Sequence, residues 1–387
     1  MNLRNLPPND RRQKIEHELE IDLSALSIEP RKIGYADQQN CEQMFGCVPI
    51  PVGYAGPLPV TFSSGETQEI HLPLATTEAA LVASVNRGCK ALRLSGGVTT
   101  TSTYHGITRS LAFMCHGEPV ESMTHVILRR AQDDTVKRLY EWKVIGESTS
   151  HHLKILKYEI DIEDPYLFIT IFADTDEAMG MNMVTIAAQK IGEWIEKNIG
   201  LQFITVAGNV DSDKKPSKRT KERGRGYEVT ASADLSADVI QSVLKTDPET
   251  LCEVAHAKLD IGSSIAGALG SNLHAANIIA ALYLATGQDA AHVVEGSLTD
   301  TAITKNDGGI LIRCHLPALL IGTHGGGTSL PAQSQCLSLL LKSKTSLHPC
   351  KQLAESIAAA VLAGELSLLA AQTAHHLANA HTKLARV

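Results

Sequence analysis

Four places along this sequence hold side chains able to move protons or stabilise charge. Glu78 follows Thr76-Thr77 and precedes an apolar-periodic run, Ala79 to Leu94, that stops at Gly96-Gly97. The spacing predicts a helix over 77–94, with a threonine hydroxyl capping its first amides and the glycines ending it. A carboxylate in that first turn is favoured by the helix dipole and is most often only a helix-start charge. Half-buried, the same group has a raised pKa and can donate a proton. Lys214 and Lys215 sit between Asp213 and Pro216 and open a run with Lys218, Arg219, Lys221, Arg223 and Arg225. Such runs are usually solvated. The alternative is that one lysine is held inside, beside carboxylates, where its charge stabilises an oxyanion. The pattern alone leaves both readings open.

Gly322-Thr323-His324-Gly325-Gly326-Gly327-Thr328 follows an apolar strand-like run and precedes a helical one. Its bare amides suit either a tight turn or a phosphate cradled at a helix N-terminus. No G-x-G-x-x-G follows the first strand, which argues against a Rossmann dinucleotide site. His375, His376 and His381 lie on a predicted terminal helix. The i, i+5 spacing of His376 and His381 does not present a metal pair, and H-E-x-x-H is absent, so no metal is expected.

These groups must be positioned by a folded scaffold of more than one core, since 387 residues exceed what a single core usually organises. The first 35 residues carry a charged, helix-like pattern, and Pro49, Pro51, Gly53, Gly56, Pro57 and Pro59 punctuate a rigid extended segment. Between Arg109 and Ala207 the pattern changes: strand-like Ser110 to Met114, a helix near Asp133 to Trp142, strands at Leu153 to Ile162 and Tyr166 to Phe172, a helix from Met179 to Asn198 and a strand from Leu201 to Val206. That β-α-β-β-α-β order is a split βαβ, or ferredoxin-like, arrangement. Long alanine-rich helical patterns follow at Gly262 to Thr286, Ser329 to Leu341 and Lys351 to Arg386.

The expected architecture is α+β. It has an N-terminal helical arm (1–35), a large helix-rich domain (36–109 with 218–387), an inserted ferredoxin-like domain (110–206) and a connecting loop (207–217) carrying the lysines. A formal charge of -7 disfavours nucleic acid as a partner. No apolar run reaches membrane-span length, the tract after Ser356 being interrupted by Glu365. Met1 to Lys14 has no apolar signal core, so the cytosol is the expected compartment. The eight cysteines form no C-x-x-C pair and are expected to be reduced.

In order and spacing the motifs resemble class I 3-hydroxy-3-methylglutaryl-coenzyme A (HMG-CoA) reductases from about Glu42 to His381. The matching stretches are Pro49-Ile50-Pro51-Val52-Gly53, Thr76-Thr77-Glu78 through Asn86-Arg87-Gly88-Cys89-Lys90, Ala178-Met179-Gly180-Met181-Asn182 and Asp213-Lys214-Lys215-Pro216. To these are added His274-Ala275-Ala276-Asn277, Gly287-Gln288-Asp289-Ala290 and Gly364-Glu365-Leu366-Ser367-Leu368. The resemblance implies a two-step, four-electron reduction of HMG-CoA to mevalonate and coenzyme A with two NADPH, NADH being the alternative cofactor. It implies catalytic roles for Glu78, Lys214, Asp289 and His381, with His376 a bystander. Substrate is expected at Ser84, Asn86, Arg87, Lys90, Arg109, Asp213, Lys215, Lys258 and Asn277. The cofactor is expected at Ser150, His151, Met179, Gly180, Met181, Asn182, Gln288, Gly325, Gly326, Gly327 and Thr328. The family builds its active site where two subunits meet, so self-association is implied.

Three positions depart from the family pattern. Ala207 stands where a serine contacts substrate, Glu177 replaces an aspartate, and His151 replaces an arginine that faces the NADP 2'-phosphate. Two rival readings are NAD-dependent oxidation of mevalonate in catabolism and a non-catalytic coenzyme A-binding protein.

Overall fold

The structure, a computed structural model, describes residues 6–114, 129 and 131–373. Strand alternation writes the sheet. In β7 (Gly226–Ser236) Tyr227, Val229, Ala231, Ala233 and Leu235 are buried while their neighbours are more exposed, the period of two that a half-covered strand requires. It is flanked in one sheet in the order β2-β1-β3-β7-β9-β8, where β1 is Val52–Thr61, β2 Thr67–Ala75, β3 Val98–Met114, β8 Asp300–Asn306 and β9 Gly309–Leu319. Neighbours are antiparallel except β1 and β3, which run parallel at Val60 and Val98. The Pro/Gly-rich segment, read from sequence as a rigid extended lead-in, is thus the first strand of a core hairpin.

Strand β3 belongs to two sheets. Its first half pairs with β7 from Thr99 to Gly106, and its second half pairs with β5 from Ile107 to Met114. With β4 (Lys154–Glu163), β5 (Tyr166–Asp174) and β6 (Gln202–Thr205) the second half forms the order β4-β5-β3-β6, the split βαβ arrangement expected from the pattern. Helices Leu139–Glu147 and Met181–Ile199 cover it. Trp142, Ile169, Ile171, Val184, Ile191 and Ile195 form a second apolar core, separate from the main one.

The main core closes on the helix Pro349–Thr373, which is long and apolar enough to cross a membrane but is 94% buried over that window. Glu355 and Glu365, both fully buried on it, are satisfied as hydrogen-bond acceptors. Glu355 accepts from the Ser63 amide at 2.9 Å and from Thr100 Oγ1 at 2.7 Å. Glu365 accepts from the Leu273 and His274 amides and from Thr301 Oγ1, each at 2.8 Å. A buried carboxylate with this many donors is a tie between loops and not an interruption. Helix Leu81–Leu94 lies against it, burying Leu81, Val85, Gly88, Cys89 and Leu92 at helical spacing. A Cβ at Gly88 would stand 1.9 Å from the Ala363 carbonyl oxygen, so only glycine permits this approach.

Two helix expectations are corrected. The helix predicted over 77–94 begins at Leu81, because Ala80 is left-handed with φ 72° and the Thr76 hydroxyl accepts from the Glu78 amide in a turn of its own. The pattern read as one helix from Gly262 to Thr286 breaks after Ala266. Gly267 is left-handed, and Glu365 draws the amides of Leu273 and His274 out of helical pairing before Ala275–Thr286 forms.

Candidate active site

The lysine loop is held in an unusual backbone. Asn209, Ser212 and Lys214 all have positive φ, at 66°, 52° and 58°, a conformation costing about 1 kcal/mol or more per non-glycine residue and kept only where surroundings enforce it. The enforcing contact is the Lys214 amide, which donates to Glu295 Oε1 at 2.7 Å. Lys214 Nζ then reaches Asp289 Oδ2 at 2.7 Å. Asp289 arrives from the other side: the helix Ala275–Thr286 ends at left-handed Gly287, and Asp289 caps a short turn by accepting from the Ala291 amide at 3.0 Å. Burial pushes the Asp289 carboxyl up, but Lys214, the Ala291 amide and His292 outweigh it and hold its pKa below the usual carboxylate value. The pair is partly open to solvent, 42% for the Lys214 side chain and 33% for that of Asp289, so a ligand can reach it.

Behind the pair lies a dry ionic core that the sequence reading did not name. Arg225 is 1% exposed, and its guanidinium spans Glu295 (Nη1 to Oε1, 2.9 Å) and Asp213 (Nη2 to Oδ1, 3.0 Å) while Nε donates to Thr108 Oγ1 at 2.7 Å. Asp213, His292 and Glu295 place oxygen and nitrogen atoms within 4.8 Å of one another, a set that would suit a cation. The Arg225 guanidinium already supplies that charge. The planar fork of arginine suits two carboxylates at once, which a lysine at 225 would not. Arg225 read from sequence as one more member of a basic run, and only burial distinguishes it.

Arg109 stands at the edge of this core. Its Nε and Nη2 donate to Thr185 Oγ1 at 3.0 and 2.9 Å, and Nη1 lies 3.6 Å from Asp211 and 3.9 Å from Asp213. Burial pushes the Asp211 carboxyl above its ordinary pKa despite Arg225 and Arg109. Lys215 Nζ folds back onto the Asp213 carbonyl at 3.0 Å. Arg109, Asp213, Lys214 and Asp289 are therefore brought into one cluster.

Other expected substrate residues lie elsewhere in the chain. Ser84 and Arg87 face the core helix, where Ser84 Oγ and Arg87 Nε each lie 3.0 Å from Ser367 Oγ. Burial lowers the Arg87 pKa. Asn86 accepts from the Gly56 amide at 3.1 Å, and Lys90 is exposed on the same helix. Lys258 is exposed beside a cleft of about 410 Å³ that Asn272 and Gln372 also line. Asn277 is half-buried on Ala275–Thr286.

The expected cofactor residues converge on the glycine loop. Gln288 clasps Gly322, donating Nε2 to its carbonyl and accepting its amide at Oε1, both at 2.9 Å. The Glu177 carbonyl accepts from the Thr323 and His324 amides at 2.8 and 3.1 Å, so Glu177 joins the loop to Met179 and Gly180. Gly180, left-handed at φ 87°, starts the helix Met181–Ile199, and a Cβ there would collide with Thr175. Gly325 and Gly326, also at positive φ, are exposed, and Gly327 packs on Gly287. The glycine loop is thus tied to the segment leading into a 19-residue helix, and a helix start with glycine amides close to it is a setting that fits an anionic phosphate.

Ser150 and His151 come at the end of a turn leading to β4. His151 lines a cavity of about 440 Å³ with Tyr104, His152, Lys154, Asp174, Asp176 and His348. Asp176 pairs with His152 at 3.0 Å and His348 at 3.2 Å, and those bonds lower its pKa.

Two expected catalytic residues are not joined to the cluster. The Glu78 carboxylate is exposed and has no hydrogen-bond or ion-pair partner among the described residues. His381, with His375 and His376, lies outside the described residues.

Comparison with known proteins bears on these assignments. The family model described as hydroxymethylglutaryl-coenzyme A reductase matches residues 7–386. A 3-hydroxy-3-methylglutaryl-coenzyme A reductase of Methanothermobacter thermautotrophicus is 40% identical over 97% of this chain and 92% of its own. One from Pyrococcus abyssi shows the same identity and coverage. Among solved structures, the class II enzyme of Streptococcus pneumoniae bound to NADPH is similar in fold, with a TM-score of 0.68 at 18% identity over 96% of this chain and 98% of that one. The class I assignment drawn from the motifs is corrected by these findings: the matching structure is described as class II, and the two sequence relatives named above are archaeal.

Proposed function

Because the chain belongs to the hydroxymethylglutaryl-coenzyme A reductase family, we propose that its reduction of HMG-CoA is centred on the Lys214–Asp289 pair. The observation carrying this reading is the 2.7 Å contact between those side chains, open to solvent on one side and braced by Glu295 and Arg225 on the other. A nicotinamide cofactor supplies the hydride for each step. Lys214 Nζ, a positive donor that rests on Asp289 at the edge of a low-dielectric core, turns to stabilise the oxyanion that forms when the thioester carbonyl is reduced. Arg109 and Lys215 suit the carboxylate end of the substrate, as cations able to form charge-assisted hydrogen bonds.

Collapse of the hemithioacetal breaks the carbon–sulfur bond, and the proton for the departing thiolate is assigned to His381. In the second reduction Glu78, when protonated, hydrogen-bonds the aldehyde oxygen. Its carboxylate is exposed and has no partner among the described residues, which suits a site completed by a second copy, so we assign at least a dimer. Asp289 tunes the charge of Lys214, with which it pairs, and that of Glu78 once substrate links the two.

NADPH is the proposed cofactor. The Gly325–Gly327 amides and the start of Met181–Ile199 suit its pyrophosphate, and His151, His152 and Lys154 suit a ribose phosphate. Cytosol is the proposed compartment. The test is steady-state reduction of HMG-CoA with each nicotinamide: two oxidised per mevalonate, NADPH preferred. A ratio near one with aldehyde accumulating contradicts the two-step reading. A preference for NADH, with mevalonate oxidation faster than its formation, would favour the catabolic direction instead.

A further inference from the structure

His292 is fully buried, and each of its ring nitrogens faces a carboxylate. Nδ1 lies 3.4 Å from Glu295 Oε1, the same oxygen that accepts from the Lys214 amide and pairs with Arg225. Nε2 lies 3.7 Å from Asp289 Oδ2, too far for a hydrogen bond, and it has no other partner among the described residues despite being buried. A buried polar nitrogen left short of its acceptor is costly and calls for an explanation. Here the acceptor is already engaged: Asp289 Oδ2 is held by Lys214 Nζ.

We infer that His292 is a positioning residue for the reduction, poised to hydrogen-bond Asp289 when Lys214 turns from Asp289 to the substrate oxyanion. This rests on the assignment of Lys214 and Asp289 above. As Nζ moves toward the oxyanion, Oδ2 loses its closest donor in a partly dry setting. With a ring proton on Nε2, His292 then closes the 3.7 Å gap and keeps the carboxylate ionised and in place, so that Lys214 can return for the second reduction. No bond to carbon is made by His292, and no proton leaves it. Its backbone station is fixed, since Asp289 caps the turn that carries it. The charged and titratable groups around it are Lys214, Asp289, Glu295, Arg225, Asp213 and the buried Tyr283. Of these, Glu295, Arg225 and Asp213 pair among themselves, leaving the Lys214–Asp289 pair as the part that responds.

Two variants separate positioning from packing. His292→Leu removes the donor, whereas His292→Gln keeps an amide N–H near the place of Nε2. With saturating cofactor, His292→Leu is expected to lower kcat roughly 10- to 100-fold, the scale of a misplaced catalytic group, with KM for HMG-CoA changed less than about threefold. The acid limb of its kcat profile should move to higher pH, because His292 helps hold the Asp289 pKa down. His292→Gln is expected to recover most of kcat. Equal losses in both variants, a loss confined to KM, or wild-type kcat in His292→Leu would overturn the inference. If His292→Leu does not fold, the comparison rests on His292→Gln and His292→Asn, whose amide cannot reach Asp289. Equal kcat in those two would overturn it as well. Asp289→Asn, measured alongside, distinguishes the premise: if it retains full turnover, the Asp289 assignment itself fails, whereas its inactivity beside an unaffected His292→Leu refutes only the role of His292.

Discussion

The Lys214 and Glu78 ends of the site are built in opposite ways. Lys214 is fixed twice, through its amide to Glu295 and its ammonium to Asp289, and the first of these anchors is tied to a buried arginine. Glu78 sits in a short turn ahead of its helix, exposed and without a side-chain partner among the described residues. A preformed charge cluster costs little reorganisation when an oxyanion appears. A carboxyl that must be protonated on demand needs a different environment, one that ligand or a second copy brings to it. The difference implies that the two ends answer to different variables: fold stability for the first, assembly and substrate for the second.

Mutations can break that contrast. The largest effect is expected from Arg225→Leu, which leaves Glu295 and Asp213 buried without their cation. Destabilisation of about 3–5 kcal/mol is expected in urea unfolding, and a change below about 1 kcal/mol would show that the ionic core is not what holds the loop. Lys214→Ala should lower kcat by about 10²–10³, the scale for losing one oxyanion donor, while unfolding free energy falls by no more than about 1 kcal/mol, the scale of a partly exposed ion pair. Glu78→Gln is expected to cost at least about 10² in kcat with stability within about 0.5 kcal/mol of the parent. A marked loss of stability there would erase the distinction between the two ends.

Acid sharpens it further. The folded Asp289 pKa lies below its unfolded value, so its contribution to stability is complete above the unfolded pKa and is lost as pH falls through the folded one. Unfolding free energy measured from pH 5 downward should therefore fall more steeply in the parent than in Asp289→Asn, and identical slopes would deny the pair a structural role. The smallest expected effect is at the cofactor end: His151→Arg should raise the NADPH-to-NADH preference by a few-fold, about 1 kcal/mol, as a permanent cation replaces an imidazole. An unchanged ratio would remove His151 from the phosphate site.

Much of this arrangement could be read from the sequence. Period-two and helical patterns mark the split βαβ strands and helices, because each has one face against a core. The motifs around Lys214, Asp289 and Met179 indicated the family. What was hidden depends on contacts between residues far apart in the chain. Nothing in the run from Lys214 to Arg225 separates the one fully buried arginine from its more exposed neighbours, since one of its two carboxylate partners, Glu295, is 70 residues away. The start of the helix after Glu78 was misplaced because left-handed Ala80 leaves no mark in composition. The break after Ala266 was missed because the group that draws the following amides away is Glu365, on another helix. The class within the family came from the comparisons and not from any contact in the fold.

The most direct test of the two-ended site is to supply its ends on different chains. Lys214→Ala and Glu78→Gln chains, each inactive alone, would be co-expressed with different tags, and the mixed dimer isolated through both and assayed for mevalonate formation. A site shared across a two-fold interface predicts that one of the two sites in each mixed dimer is whole, giving activity of about half that of the parent. A purified mixed dimer with no more activity than either variant alone would show that Lys214 and Glu78 must come from the same chain, and would contradict the account.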